Sequence, residues 1–516
     1  MISQAGFTVF FGSGQKLPPK KTGISFGKTI FADIHLKKRL IRMKHMKKQM
    51  KKTSLFIILI GLMAMAGLPS PAQAQDITGS WHGKLKLPVG SLSIVFHIKQ
   101  APEGGYTATL DSPDQGAKGI PTEKTTFENS TLHIRIPTIG ASYEGKLTEE
   151  GKITGTFTQG VALKLDLEKG EAPRPKRPQE PQPPFPYKSE EVKVRNEQDG
   201  IDLAGTLTLP AEGRNFPAVV LLTGSGPQNR DEELMGHKPF LVIADHLTRN
   251  GIAVLRCDDR GTGASQGDYA STANTGFARD AEAAIGYLRH RKEIDPRKVG
   301  IIGHSNGALI AFGIGAKDRE LAFIVSLAGS AVRGDSLLLK QTETLSKLSG
   351  MPDAGWQNLK PILRERYTLL MQAGKTPEKL REELLAHVYS SMPQQQANEA
   401  VRKRAEAEAA AMTSPWFLEF LKHDPAADLK RVKCPLFALN GEKDAQVDAE
   451  TNLNAIRLHT TEGGNKRVTT KAYPGLNHLF QHCTTGAVNE YAQIEETISP
   501  EVLKDITEWI LGITAR

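Results

Sequence analysis

Cysteine is almost missing from this 516-residue sequence: Cys257, Cys434 and Cys483 are the only three. A scaffold held by disulfides is therefore excluded, with at most one bridge possible and one thiol left over. C-x-x-C and H-E-x-x-H spacings are also missing, so no structural metal is expected. Long apolar runs are scarce. The longest, over 55–67, falls short of the roughly 20 residues a spanning helix needs. Acids are nearly absent from residues 1–52, which hold 13 Lys and Arg against Asp33 alone, a net of +12. No charged residue lies over 53–74, so the overall +9 leaves −3 from Gln75 onward. A mildly acidic body lacks the basic footprint of a nucleic-acid binder. What is present is ample core material. The sequence is 39% hydrophobic, with 48 Gly and 30 Pro, which excludes a disordered or fibrous chain.

The basic segment reads as an address. Lys47, Lys48, Lys51 and Lys52 precede the apolar run, and Ala72-Gln73-Ala74 follows it. Basic, apolar, then A-x-A is the order of a secretory signal peptide, with cleavage expected after Ala74 and a true start among Met43, Met46 and Met50. An exported protein, periplasmic or secreted, is expected. No stable membrane span is expected.

Over 76–170, short stretches such as Leu132-His133-Ile134-Arg135-Ile136 alternate apolar and polar residues between Gly, Pro and Asp. Period two predicts about seven short antiparallel strands in a small barrel or sandwich. The opening, Ile77-Thr78-Gly79-Ser80-Trp81-His82-Gly83, resembles lipocalin-like barrels, and His97 and His133 are expected to be ordinary strand positions. Residues 171–187 follow, with seven prolines between Pro173 and Pro186. They predict an extended spacer. From 188 to 516 the apolar runs become continuous, at 217–222, 252–255, 299–302, 323–327 and 436–439, with helical segments at 240–250 and 276–291. Strands buried on both faces and alternating with helices predict a parallel α/β sheet. A helical insertion over about 335–429 reads as a lid. One of its helices should start at Thr376, an N-cap, with Pro377 next, and another should cover about 397–412.

The motif G-x-S-x-G occurs twice. Gly263-Ala264-Ser265-Gln266-Gly267 lacks a preceding strand. Gly303-His304-Ser305-Asn306-Gly307 follows the run at 299–302 and leads into a helical stretch, the context a nucleophile elbow requires. A serine hydroxyl needs a base to take its proton, and the base needs an acid to orient it. Downstream, Asp444 in the loop after 436–439 is the expected acid, with Glu442 and Asp448 as weaker candidates. His478, in Tyr473-Pro474-Gly475-Leu476-Asn477-His478, is the expected base, and His482 the fallback. Two backbone donors for an oxyanion are expected from Asn306 and from Ser225, with Gly226 the alternative to Ser225. The glycines of both Gly-rich loops complete no phosphate or dinucleotide fingerprint.

These stretches, together with Gly224-Ser225-Gly226-Pro227-Gln228-Asn229-Arg230-Asp231 and Asp258-Asp259-Arg260-Gly261-Thr262-Gly263, resemble the α/β-hydrolases, in particular bacterial exported carboxylesterases near the serine-aminopeptidase-like branch. The resemblance implies an α/β-hydrolase fold over 188–516, preceded by the small all-β domain. It implies a Ser305–His478–Asp444 triad cleaving acyl esters of small molecules, and no cofactor. It also implies that the Asp-Arg-Gly stretch is a structural turn, so that Ser265 is not a nucleophile. Thr223 stands where many such hydrolases carry histidine. Besides a structural envelope protein, two rival readings share the sequence. One is an aminopeptidase, for which Glu365, Glu378, Glu382 and Glu383 of the insertion could hold a free amine. The other is a catalytically inactive exported binding protein.

Overall fold

A computed structural model describes residues 76–87, 91–115, 117–173, 176–390 and 399–515. The expected leader, its cleavage site and the start among Met43–Met50 lie outside the described residues. So do the first two residues of the helix expected from 397.

The N-terminal sheet is antiparallel throughout. Its strands are β1 (Gly79–Lys86), β2 (Ser91–Gln100), β3 (Tyr106–Ser112), β4 (Ala117–Pro121), β5 (Lys124–Glu128), β6 (Thr131–Ile136), β7 (Ala141–Leu147), β8 (Ile153–Gln159), β9 (Val161–Lys164) and β10 (Glu168–Lys169). Strand order follows the sequence, with β4 as a side branch on β3. The ribbon closes on itself: Leu165 and Leu167 bond back to Gly155 and Ile153 of β8, while β10 pairs with β1. Of the two forms expected, a closed barrel is the one found. Ten strands replace the expected seven or so; two of the extra ones arise because β4 is a short exposed branch and β9 and β10 are two ends of one interrupted strand. The interior is filled by side chains. Trp81, Phe96, Ile134, Tyr143 and Phe157 are buried, each worth about 1.5–3 kcal/mol of transfer free energy.

The second sheet runs β11-β12-β14-β13-β15-β16-β17-β18. A hairpin of β11 (Tyr187–Asn196) and β12 (Ile201–Pro210) lies antiparallel on one side. The other strands pair in parallel: β13 (Phe216–Leu222), β14 (Ala253–Cys257), β15 (Ile294–His304), β16 (Ile324–Leu327), β17 (Leu436–Gly441) and β18 (Val468–Tyr473). Alternate residues of one strand feed two cores. Val220, Ile301 and Ala438 face α2 (Asn274–Arg289), α3 (Asn306–Gly315) and α10 (Ala449–Glu462). Val219, Ile302 and Leu439 face α1 (Pro239–Arg249) and α11 (Pro500–Thr514). The apolar runs were continuous for this reason.

Between β16 and β17 the chain forms α4 (Gly334–Leu348), α5 (Asp353–Leu370), α6 (Pro377–Ser390), α7 (Glu399–Met412), α8 (Pro415–Lys422) and α9 (Ala426–Leu429). The Thr376 hydroxyl accepts the Lys379 amide at 3.3 Å, capping α6. Trp356, Leu363, Tyr367, Leu380, Leu384 and Phe417 form a separate core that also takes in Leu309 of α3. The insertion therefore rests on the helix that follows Ser305.

The proline-rich connection does not hang free as a spacer. Arg177 donates to the carbonyls of Gly236 (3.0 Å), Ile494 (2.7 Å), Met235 (3.2 Å) and Ala492 (2.9 Å). Gln179 accepts the Thr497 amide at 2.6 Å and donates to the Ile498 carbonyl at 2.7 Å. Proline denies the segment a sheet, but these two side chains fasten it to loops of the α/β domain.

Candidate active site

β15 ends at His304 and α3 begins at Asn306, so Ser305 alone makes the turn. Its φ is +51°, a left-handed conformation that costs a non-glycine residue about 1–3 kcal/mol. A Cβ on Gly303 would overlap the Gly307 carbonyl, and one on Gly307 the Leu222 carbonyl. Strand and helix approach this closely only with glycine at both places. The Ser305 amide donates to Leu327 at 2.8 Å, which ties the turn to β16. Its hydroxyl makes no capping bond to α3 and stands at the helix N-terminus, where negative charge is favoured.

Asp444 is buried just beyond β17. One carboxylate oxygen accepts the amides of Gln446 and Val447, each at 2.8 Å. The other accepts His478 Nδ1 at 2.7 Å. With Nδ1–H given to Asp444, Nε2 is the ring atom left to take a proton. Asn477 Oδ1 accepts the amides of Leu479 (2.9 Å) and Gln481 (3.0 Å), closing a turn around His478. The alternatives are engaged elsewhere. Glu442 is exposed, Asp448 caps α10 through the Thr451 amide at 2.9 Å, and His482 pairs with Glu496 at 2.8 Å.

The loop over 223–228 lies next to the turn: a Cβ on Gly224 would sit 3.5 Å from that of Ser305. Its amides are held one by one. Gly224 donates to Glu232 (2.7 Å), Gly226 to the Tyr269 hydroxyl (2.8 Å) and Gln228 to Asp259 (2.9 Å). The Thr223 hydroxyl also donates to Asp259, at 2.8 Å. Burial pushes the Asp259 carboxyl up to about 7, aided by the nearby Glu232 and Asp280 and opposed by the Thr223 and Gln228 bonds. Gly226, the alternative oxyanion donor, has its amide committed to Tyr269. On the far side of the turn, the Asn306 side chain exchanges amide bonds with Asn274 at 2.9 and 3.2 Å.

His304 was passed over in the sequence. Its Nδ1 lies 2.8 Å from Glu232 and its Nε2 3.1 Å from the His478 carbonyl. Burial alone would push this imidazole down, but the Glu232 carboxylate, together with the His478 carbonyl and Asp444, outweighs it and holds the group above its ordinary range. Ser265, by contrast, donates to the Asp258 carbonyl (2.8 Å) and accepts the Ala204 amide (2.9 Å), which ties the turn to β12. A second Ser–His–Asp relay lies on the barrel, where His97 joins Ser80 and Asp111 at 3.0 Å each. Ser80 there sits within β1, and its hydroxyl donates to Glu171 at 3.2 Å.

Above the loop, Tyr269 also lines a cavity of about 500 Å³ with Pro377, Arg381, Ala411, Pro415 and Trp416 of the insertion. Glu419 of α8 reaches the Thr275 amide at the start of α2, at 3.4 Å. Of the insertion's acids, Glu383 pairs with Lys375 (2.5 Å), Glu382 with Lys379 (2.9 Å) and Glu365 with His387 (3.9 Å), and the exposed Glu378 lines this cavity.

A family described as "Serine aminopeptidase, S33" matches residues 238–482, the span that holds Ser305, Asp444 and His478. Esterase EstD of Thermotoga maritima is 24% identical over 370 residues, which cover 71% of this chain and 75% of the relative. Polyketide transferase ATR5 of Stachybotrys chlorohalonatus is 27% identical over 171 residues, 32% of this chain and 54% of the relative. Among solved structures, the Pyrococcus furiosus esterase Pf2001 superposes with a TM-score of 0.40 at 18% identity, covering 66% of this chain and 98% of that one. Strand order, the turn between β15 and α3, and the family match over the same residues identify the α/β-hydrolase fold in this chain.

Proposed function

We propose that the protein is an exported serine esterase that acts on small-molecule carboxylic esters. The observation that carries this reading is the buried Asp444–His478 bond beside a strained turn with serine at its tip. Ser305 attacks the acyl carbonyl while His478 Nε2 takes its proton and passes it to the departing alcohol. Asp444 keeps the imidazole in the productive tautomer. The tetrahedral oxyanion is received by the amides of Asn306 and Ser225. Water, activated by the same histidine, releases the acyl group and regenerates Ser305. The cavity under the insertion, walled by Trp416, Tyr269 and two prolines together with Glu378 and Arg381, offers aromatic surface to an acyl or aryl group. Export rests on the basic–apolar–A-x-A order over 47–74. No step requires a cofactor.

The aminopeptidase reading remains second, favoured by the family description. It needs a carboxylate facing the site to hold the α-amine; of the insertion acids singled out in the sequence, Glu383, Glu382 and Glu365 pair with lysines and a histidine, and Glu378 alone lines the cavity under the insertion, beside Arg381. Hydrolysis of p-nitrophenyl esters from acetate to decanoate, by the chain beginning at Gln75, separates the two. Ser305→Ala should lower turnover about 10³-fold or more without unfolding the protein. Turnover of peptides with a free amine, and none of esters, would replace the esterase with the aminopeptidase.

A further inference from the structure

We infer that Glu232 and His304 are a buried positioning pair that fixes the oxyanion loop and the base-bearing loop on either side of Ser305. The inference rests on the triad reading and deepens it. Glu232 Oε1 accepts two bonds at once, from the Gly224 amide at 2.7 Å and from His304 Nδ1 at 2.8 Å. His304 Nε2 continues the chain to the His478 carbonyl at 3.1 Å, and the two imidazole rings lie 4.8 Å apart. One carboxylate and one imidazole therefore connect the peptide before Ser225, the residue before the nucleophile and the backbone of the base.

Two features say that this connection serves more than cohesion. Glu232 is 2% exposed and adopts a φ of +51°, a strained conformation that persists only where the surroundings impose it. A buried ion pair is also a poor source of stability, since its desolvation offsets its attraction. What it supplies is a fixed separation. Donating both bonds requires a proton on each ring nitrogen of His304, that is, an imidazolium. The charged or titratable groups facing it are Glu232 directly, the His478 ring beside it, and the Asp444 carboxylate beyond that ring.

Glu232→Gln keeps the shape and an acceptor for Gly224 but removes the charge that sustains the imidazolium. Burial is then opposed only by the His478 carbonyl and the more distant Asp444, His304 loses its second proton at lower pH, and the bond to His478 weakens. On p-nitrophenyl esters the variant should keep KM within about threefold and lose about ten- to a hundredfold in kcat. The alkaline limb of its kcat profile should fall by about one pH unit or more. An unchanged kcat and pH profile, or a loss carried wholly by KM, would overturn the inference. Should the variant fail to fold, ¹⁵N-histidine NMR of the unaltered protein decides: both His304 ring nitrogens should carry protons at neutral pH, and a bare one refutes the pair. Labelling by a fluorophosphonate keeps the two levels apart. Failure to label Ser305 in the unaltered enzyme removes the nucleophile and this inference with it. Labelling that is equally fast in the unaltered enzyme and in Glu232→Gln removes this inference alone.

Discussion

The strain at Ser305 resides in the backbone, while the chemistry proposed for it needs only the hydroxyl. Two inactive variants separate these contributions. Ser305→Ala keeps a Cβ at φ +51° and keeps the strain, whereas Ser305→Gly sheds it. By chemical denaturation the glycine variant should be the more stable of the two, by about 1–2 kcal/mol. A glycine variant less stable than the alanine one would mean that the turn stores nothing. Asp259 carries a different load. Its carboxyl ionises near pH 4 in an unfolded chain but at about 7 in the fold. A raised carboxyl contributes fully below pH 4 and loses its contribution as pH climbs toward 7, because the unfolded chain ionises first. Asp259→Asn should therefore flatten the fall in Tm over that interval, as read by calorimetry at stepped pH. An equally steep fall in the variant would assign the slope to other groups.

Among the elements, legibility followed locality. β13 to β17 could be read because each contains a short apolar run, and α6 because Thr376 and Pro377 write its start into adjacent positions. The hairpin β11–β12 was not separately predicted. β11 exposes Lys188, Ser189, Glu191, Lys193 and Arg195 on an edge, so its apolar positions are too few to stand out. The break between β9 and β10, and the short branch β4, blurred the strand count for the same reason. At the site, Ser305, Asp444 and His478 were each proposed from signatures in their own neighbourhoods, a glycine-flanked turn or a loop after a buried strand. Glu232 carries no such mark, because its partner His304 lies 72 residues away and the meaning of the carboxylate exists only once the sheet has formed. The Pro-rich connection misled because composition shows what a segment cannot do, and the bonds of Arg177 and Gln179 depend on loops more than 50 residues distant.

Taken whole, the molecule keeps its two sheets in contact through that connection and through a bond from Gln493 to the Ser91 carbonyl at 3.3 Å. Arg177 satisfies two backbone segments at once, near 235–236 and 492–494, and the second adjoins Tyr491, which packs with Leu479 beside the base. Arg177→Ala should lower stability by about 1.5–3 kcal/mol, the usual worth of hydrogen bonds from a charged group, seen as a lower denaturant midpoint. An unchanged midpoint would leave the connection a tether only. The three thiols are all free, and burial pushes those of Cys257 and Cys434 up to about 12, so neither sheet waits on an oxidant to form. The two sheets differ in when they can close. Every pairing in the barrel except the last joins near neighbours in sequence, so its loops close at small entropic cost. β17 can join β16 only after the whole helical insertion has been made. A chain emerging from its N-terminus thus finishes the barrel early and holds the edge of β16 open longest, and that edge, not the barrel, is where a chaperone would be needed.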